Sequence, residues 1–154
     1  RWPSPTPMRG QRARPRSTVA EPRSSIRADE DGHRWTQVFP RELTAVADAR
    51  RWVEQALDEG GAAERSDDAQ LVISELVTNA LRHGLGEVVA RVQLTATEVQ
   101  LSVTDAGQAL PELRPQRPGR IGGMGLFIVA RLAADWGVAP FPGGKTVWAV
   151  LARG

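Results

Sequence analysis

Glu75 and Asn79 stand four residues apart in Leu71-Val-Ile-Ser-Glu75-Leu-Val-Thr-Asn79-Ala-Leu-Arg-His83-Gly84, with His83 one turn further on. On a helix, residues four apart share a face. A carboxylate there can take a proton from a hydroxyl or orient water, and an amide oxygen suits a hard cation that also binds phosphate and water. The same spacing also fits a solvated polar stripe. Asp105, followed by Ala106 and Gly107, ends an alternating apolar stretch. A carboxylate in that position can accept a hydrogen bond from a ligand amine, and a neighbouring glycine lets the ligand approach the backbone. An ordinary Asp-Xaa-Gly turn is the alternative. Gly122-Gly123-Met124-Gly125 precedes the apolar run Leu126, Ile128, Val129 and Leu132. Glycines at a helix start leave backbone N–H groups and the positive end of the dipole free to face phosphate, or they serve only as a structural loop.

The elements that must position these residues can be read from periodicity. Trp35 to Phe39 reads as a short strand closed by Pro40. Leu43, Val46, Ala47, Ala49, Trp52, Val53, Ala56 and Leu57 recur at helical spacing until Gly60-Gly61. Ser66, Asp67 and Asp68 read as the start of a second helix that runs to Gly84 and carries Glu75 and Asn79. Val88 to Leu94 and Val99 to Val103 alternate around Thr97-Glu98, predicting an antiparallel hairpin with Asp105 at its end. Gln108 to Arg120, rich in Pro and Arg, reads as a loop. A third helix then opens at the glycines, and Val138 to Phe141 and Thr146 to Leu151 form a last hairpin across Gly143-Gly144. The predicted fold class is α+β: a two-layer sandwich of a mixed, mostly antiparallel sheet with three helices on one face.

A chain of 154 residues is about one domain in size. It contains no cysteine, which excludes disulfides, thiolate metal sites and cysteine nucleophiles. The pI of about 10.3 invites a nucleic-acid reading. However, residues 1–34 hold eight Arg against four acidic residues, leaving twelve basic against fourteen acidic in 35–154. The positive excess lies in the tail, so the remaining surface gives little support to nucleic-acid binding beyond weak tail contacts. Residues 1–33, with Pro3, Pro5, Pro7, Pro15 and Pro22, read as a disordered basic tail, and 34–154 as the folded domain. No run is long enough to cross a membrane and no secretory signal is legible, so the expected location is cytoplasmic.

Taken in order, Glu75-Leu-Val-Thr-Asn79-Ala80, Asp105-Ala106-Gly107 and Gly123-Met124-Gly125-Leu126 resemble the N box and the two glycine boxes of the GHKL, or Bergerat-fold, ATPases. With His83-Gly84 and the closing Lys145-Thr146-Val147, the chain is most similar to the anti-sigma-factor serine kinases of that superfamily. The resemblance covers about Trp35 to Leu151. It implies ATP and Mg2+ as cofactors and Glu75 as general base. It implies Asn79 as both metal ligand and nucleotide contact, and Asp105 as the acceptor for the adenine amine. His83, Gly107, Gly123, Met124, Gly125, Leu126 and Thr146 complete the implied nucleotide site. It further implies an anti-anti-sigma partner of the STAS type, a sigma factor and a homodimer. The chain departs from the family pattern at Ala109, where a second glycine is usual, and at Ile121, where arginine is common and Arg120 stands next to it. No P-loop pattern is present.

Three other readings compete with a serine kinase. A non-catalytic module would use ATP only to order a protein surface. A sensor histidine kinase fragment would need a helical segment bearing a phospho-accepting histidine, and His33 lies outside any helical pattern. Nucleic-acid binding through the Arg-rich tail would be strongly salt-dependent.

Overall fold

The computed structural model describes residues 32–107 and 125–154. In chain order these form β1 (His33–Phe39), α1 (Thr44–Glu59), a 3-10 turn (Ala63–Arg65), α2 (Ser66–His83), β2 (Val88–Leu94), β3 (Glu98–Asp105), α3 (Gly125–Leu132), β4 (Asp135–Phe141) and β5 (Gly144–Ala152). The strands make one sheet in the order β1-β2-β3-β5-β4, and all four pairings are antiparallel. The sheet is thus antiparallel throughout these residues, in line with the mostly antiparallel sheet that the sequence predicts and without its parallel part.

Side chains alternate across a strand, so register decides which residues meet the helices. Val88, Ala90, Val92 and Leu94 of β2, Val99, Leu101 and Val103 of β3, and Val147, Ala149 and Leu151 of β5 all join one buried cluster. From the helices come Ala49, Val53 and Leu57 of α1, Val72, Ile73, Leu76 and Val77 of α2, and Leu126 and Val129 of α3. The three helices therefore lie on one face, with α2 between α1 and α3 and packed directly on β3. Each buried aliphatic side chain contributes about 1.5–3 kcal/mol. Asp105 and Lys145 have the same parity as Val103 and Val147 and so point toward the helices. Thr104 and Thr146 point the other way.

α2 begins at Ser66 as the sequence predicts, whereas strands start earlier than expected: β1 at His33 and β5 at Gly144, two residues early in each case. β4 begins at Asp135, three residues earlier than expected, because Asp135, Trp136 and Gly137 pair with Val150, Ala149 and Trp148. Nothing in Asp-Trp-Gly alternates, so only the partner strand reveals it. Ser66 is the first residue of α2 and makes no side-chain cap; its hydroxyl instead accepts a hydrogen bond from Gln70 Nε2 at 3.0 Å. Asp67 and Asp68 do lie in the first turn, where carboxylates favour the helix dipole. The expected tail and the loop from Gln108 to Arg120, with Ala109 and Ile121, lie outside the described residues, apart from the tail's last positions: His33 opens β1.

Candidate nucleotide site

The apolar face of α2, built at i, i+3 and i+4 by Ala69, Val72, Ile73, Leu76, Val77 and Ala80, fixes the rotation of the helix. That rotation leaves Glu75 and Asn79 half-buried beside the core, while His83 is exposed at the helix end. Burial pushes the Glu75 carboxyl above the ordinary glutamate value, and Arg82 opposes that shift. The Asn79 amide nitrogen is enclosed and makes no hydrogen bond among the described residues. An enclosed polar group without a partner costs about 1–3 kcal/mol, so a ligand that satisfied it would bind with that advantage.

The far end of α2 is held by a residue that sequence reasoning passed over. Arg41, just after Pro40, donates to the carbonyls of Leu81 at 2.7 Å, Ala80 at 2.8 Å and Gly86 at 3.1 Å. The last carbonyls of a helix lack intrahelical partners, and a guanidinium answers both the missing donors and the negative end of the dipole. Leu85 continues the connection by accepting a hydrogen bond from Ala106 N at 2.8 Å, which ties the segment after α2 to the end of β3.

This tie presses Gly84 against Asp105. A Cβ on Gly84 would stand 2.4 Å from Asp105 Cγ, and one on Gly107 would stand 2.7 Å from Gly84 Cα. Both positions therefore require glycine because of space; the φ of −103° at Gly84 is open to any residue. Asp105 is 4% exposed. Its Oδ1 accepts from Gly107 N at 2.6 Å and from Lys145 Nζ at 3.1 Å, and its Oδ2 faces Lys145 Nζ at 3.0 Å. Lys145 is 1% exposed. A purely strand-period reading of Thr146 to Leu151 carries the signal for it. Val147, Ala149 and Leu151 face the core, so the residue two before Val147 must do so as well.

Of the residues expected in the site, the structure brings Asp105 and Gly107 together, with Gly84 packed on both, while Glu75 and Asn79 lie further back along α2. Gly125 and Leu126 open α3, with Leu126 buried in the core cluster. Gly123 and Met124 lie outside the described residues. Thr146 is placed differently from expectation. Its hydroxyl lies 2.8 Å from that of Thr104, which also accepts from Arg91 Nη1 at 3.1 Å, all on the sheet face away from the helices. The one-residue shift follows from strand parity, which gives the inward position to Lys145.

A family model for the histidine kinase-like ATPase domain matches residues 39–151. The chain belongs to this family, the GHKL ATPases. Among solved structures it is similar to the RsbU and RsbW domains of Rv1364c from Mycobacterium tuberculosis, with a TM-score of 0.61 and 23% identity, covering 79% of this chain and 33% of that one. That likeness shows the fold. It is also similar to the histidine kinase domain of a blue-light activated histidine kinase from Erythrobacter litoralis EL346, with a TM-score of 0.46, 20% identity, and coverage of 75% of this chain and 62% of that one. No curated protein matches the chain. Among the described residues, no helix is long and apolar enough to cross a membrane.

Proposed function

We propose that this domain binds ATP with Mg2+ and acts as a protein-serine kinase of the anti-sigma type, phosphorylating a STAS-type anti-anti-sigma partner in the cytoplasm. The observation that carries the reading is the packing of Gly84, at the end of the Glu75–Asn79 helix, directly on the buried Asp105 carboxylate. A candidate purine acceptor at the end of β3 thus packs against the end of the same helix that carries the candidate metal and base residues further back along its length.

The residues present fit the implied groups. The Asn79 amide nitrogen, enclosed and without a hydrogen bond among the described residues, is a donor that a phosphate oxygen would satisfy, and the amide oxygen is the atom that would suit the cation. The ion would neutralise charge on the phosphates. Asp105 would accept from the adenine amine, and Gly107 keeps side chains away from it. Glu75 would take the proton of the acceptor hydroxyl. Its raised proton affinity suits that role, since a base closer to the operating pH transfers protons more effectively. The similarity of the fold to a structure containing an RsbW domain is in keeping with the serine-kinase reading.

The test is calorimetric titration with ATP and Mg2+, followed by incubation of labelled ATP with a STAS-type partner. Label on a partner serine, lost in Glu75→Ala while nucleotide still binds, supports the kinase. Nucleotide binding without transfer to any partner supports the alternative, a non-catalytic ATP-binding interaction module.

A further inference from the structure

On the sheet face turned away from the helices, Gln93, Gln100, Val150 and Asp135 form one row across β2, β3, β5 and β4, and Ser102 and Trp148 stand side by side in the next. An antiparallel sheet with helices on one face ordinarily leaves the other face to water. Here that face is closed: Ser102 is 0% exposed, Val150 1%, Trp148 2% and Asp135 3%. Yet α1, α2 and α3 pack on the opposite face, and among the described residues no helix or strand lies over this one. The Ser102 hydroxyl is enclosed without a hydrogen bond among the described residues. Burial also pushes the Arg91 guanidinium, beside Ser102 on the same face, below its ordinary value.

The row from Gln93 to Asp135 lies at the end of the sheet where the chain enters it. His33 pairs with Leu94, and Gly32 stands so close that a Cβ on it would lie 1.6 Å from the Leu94 carbonyl oxygen. At the other end of β1, on the same outer face, Val38 is 46% exposed. Residues 108–124 join the domain elsewhere. They leave after Asp105 and Gly107 and return at Gly125, the start of a helix on the opposite face that runs back toward Ala134 and its hydrogen bond to Val150 O. Residues 1–31 instead arrive beside the closed row. An extended chain covers about 3.3 Å per residue and five strands span roughly 19 Å, so about six residues suffice to cross the sheet. The segment brings Val19 and Ile26 as apolar groups for Trp148 and Val150. It also brings Arg16, Arg23 and Arg27 as cations for the Asp135 carboxylate, whose Oδ1 accepts from Trp136 N at 3.1 Å.

We infer that residues 1–31 dock across the outer face of the sheet, over Gln100, Ser102, Trp148, Val150 and Asp135, and make that face an internal interface of the chain. A partner protein that used this face would have to displace the segment first. The inference is independent of the nucleotide reading above, because the outer face and the Asp105 side chain lie on opposite sides of the sheet.

The chain has no cysteine, so Ser102→Cys introduces a single thiol whose reaction with a maleimide reports cover on this face. In the full chain it is expected to react at least about tenfold more slowly than Thr97→Cys at an exposed turn, and to speed up by at least about tenfold when residues 1–31 are deleted with the circular dichroism spectrum retained. A second measurement keeps the full chain intact and decides the matter if the deletion unfolds it. A spin label on Ser17→Cys is expected to broaden the indole N–H resonance of Trp148, on the outer face, and to spare that of Trp52, which packs on Phe39 on the helix side. Rapid reaction of Ser102→Cys in the full chain overturns the inference, as does slow reaction unchanged by the deletion, which would assign the cover to another segment. Reaction that speeds up on dilution overturns it in favour of a second copy of the chain. Equal broadening of both indoles, or of neither, overturns it as well.

Discussion

Lys145 Nζ lies 3.0 and 3.1 Å from the two carboxylate oxygens of Asp105, and both side chains are closed to solvent between β3, β5 and the end of α2. Because the pair sits where the purine acceptor is proposed, its energetics bear on fold and ligand together.

Asp105→Asn leaves Lys145 as an uncompensated buried charge. Breaking one half of a buried pair costs about 3–5 kcal/mol, whereas replacing both halves is far milder. Asp105→Asn is expected to unfold at much lower urea concentration than wild type, and Asp105→Asn/Lys145→Met to recover most of the loss. Chemical denaturation followed by circular dichroism checks both.

Glu75→Gln removes the proposed base but keeps its shape. Phosphoryl transfer to the partner is expected to fall by roughly 10²–10⁴-fold while ATP affinity changes little, as single-turnover kinetics would report. In wild type, transfer declines as the pH drops through the raised Glu75 value, since the base must be ionised.

The same raised value has a stability consequence. Between the ordinary glutamate value of 4.5 and the raised one, the folded state binds more protons than the unfolded chain, so the Glu75 contribution to stability falls as the pH rises through that window. Glu75→Gln is therefore expected to be more stable than wild type at pH 7 and to lose that advantage below about pH 4. Thermal melts across pH reveal the crossing.

Gly84→Ala forces a methyl group to within 2.4 Å of Asp105 Cγ. Overpacking of this kind costs about 1–3 kcal/mol, and here it also displaces the carboxylate. Both the melting temperature and ATP affinity are expected to drop. An unchanged affinity would separate Asp105 from the nucleotide.

Thr146→Val tests which residue of the late strand faces the ligand. Its hydroxyl bonds Thr104 on the face opposite Asp105, so about 1 kcal/mol of stability is expected to go with ATP affinity unchanged within twofold. A tenfold loss in a titration would place Thr146 at the site instead.

Arg41→Met removes donors from three carbonyls after and within the last turn of α2. Hydrogen exchange at Gly84 and Ala106 should speed up, with a stability loss of about 1–2 kcal/mol, because those amides report the closure of this end.

The local pattern of the chain determined a good deal. Period-3.6 spacing in Val72, Leu76 and Ala80 and period-2 spacing in Val99, Leu101 and Val103 are enough to give α2 and β3, and the order of the three boxes led to the GHKL family that the match over 39–151 shows. Glu75 and Asn79 could be placed on one face because helical geometry relates residues only four apart. Tertiary structure alone decided that Asp105 meets Lys145, forty residues away, and that Arg41 closes a helix that begins twenty-five residues later. It also decided that Thr146 turns from the helices while its neighbour turns in, and that β4 begins at Asp135. These facts depend on strand register, and register is set by which faces bury together across distant segments. A sequence records the period of each strand, but only packing fixes the phase of one strand against another.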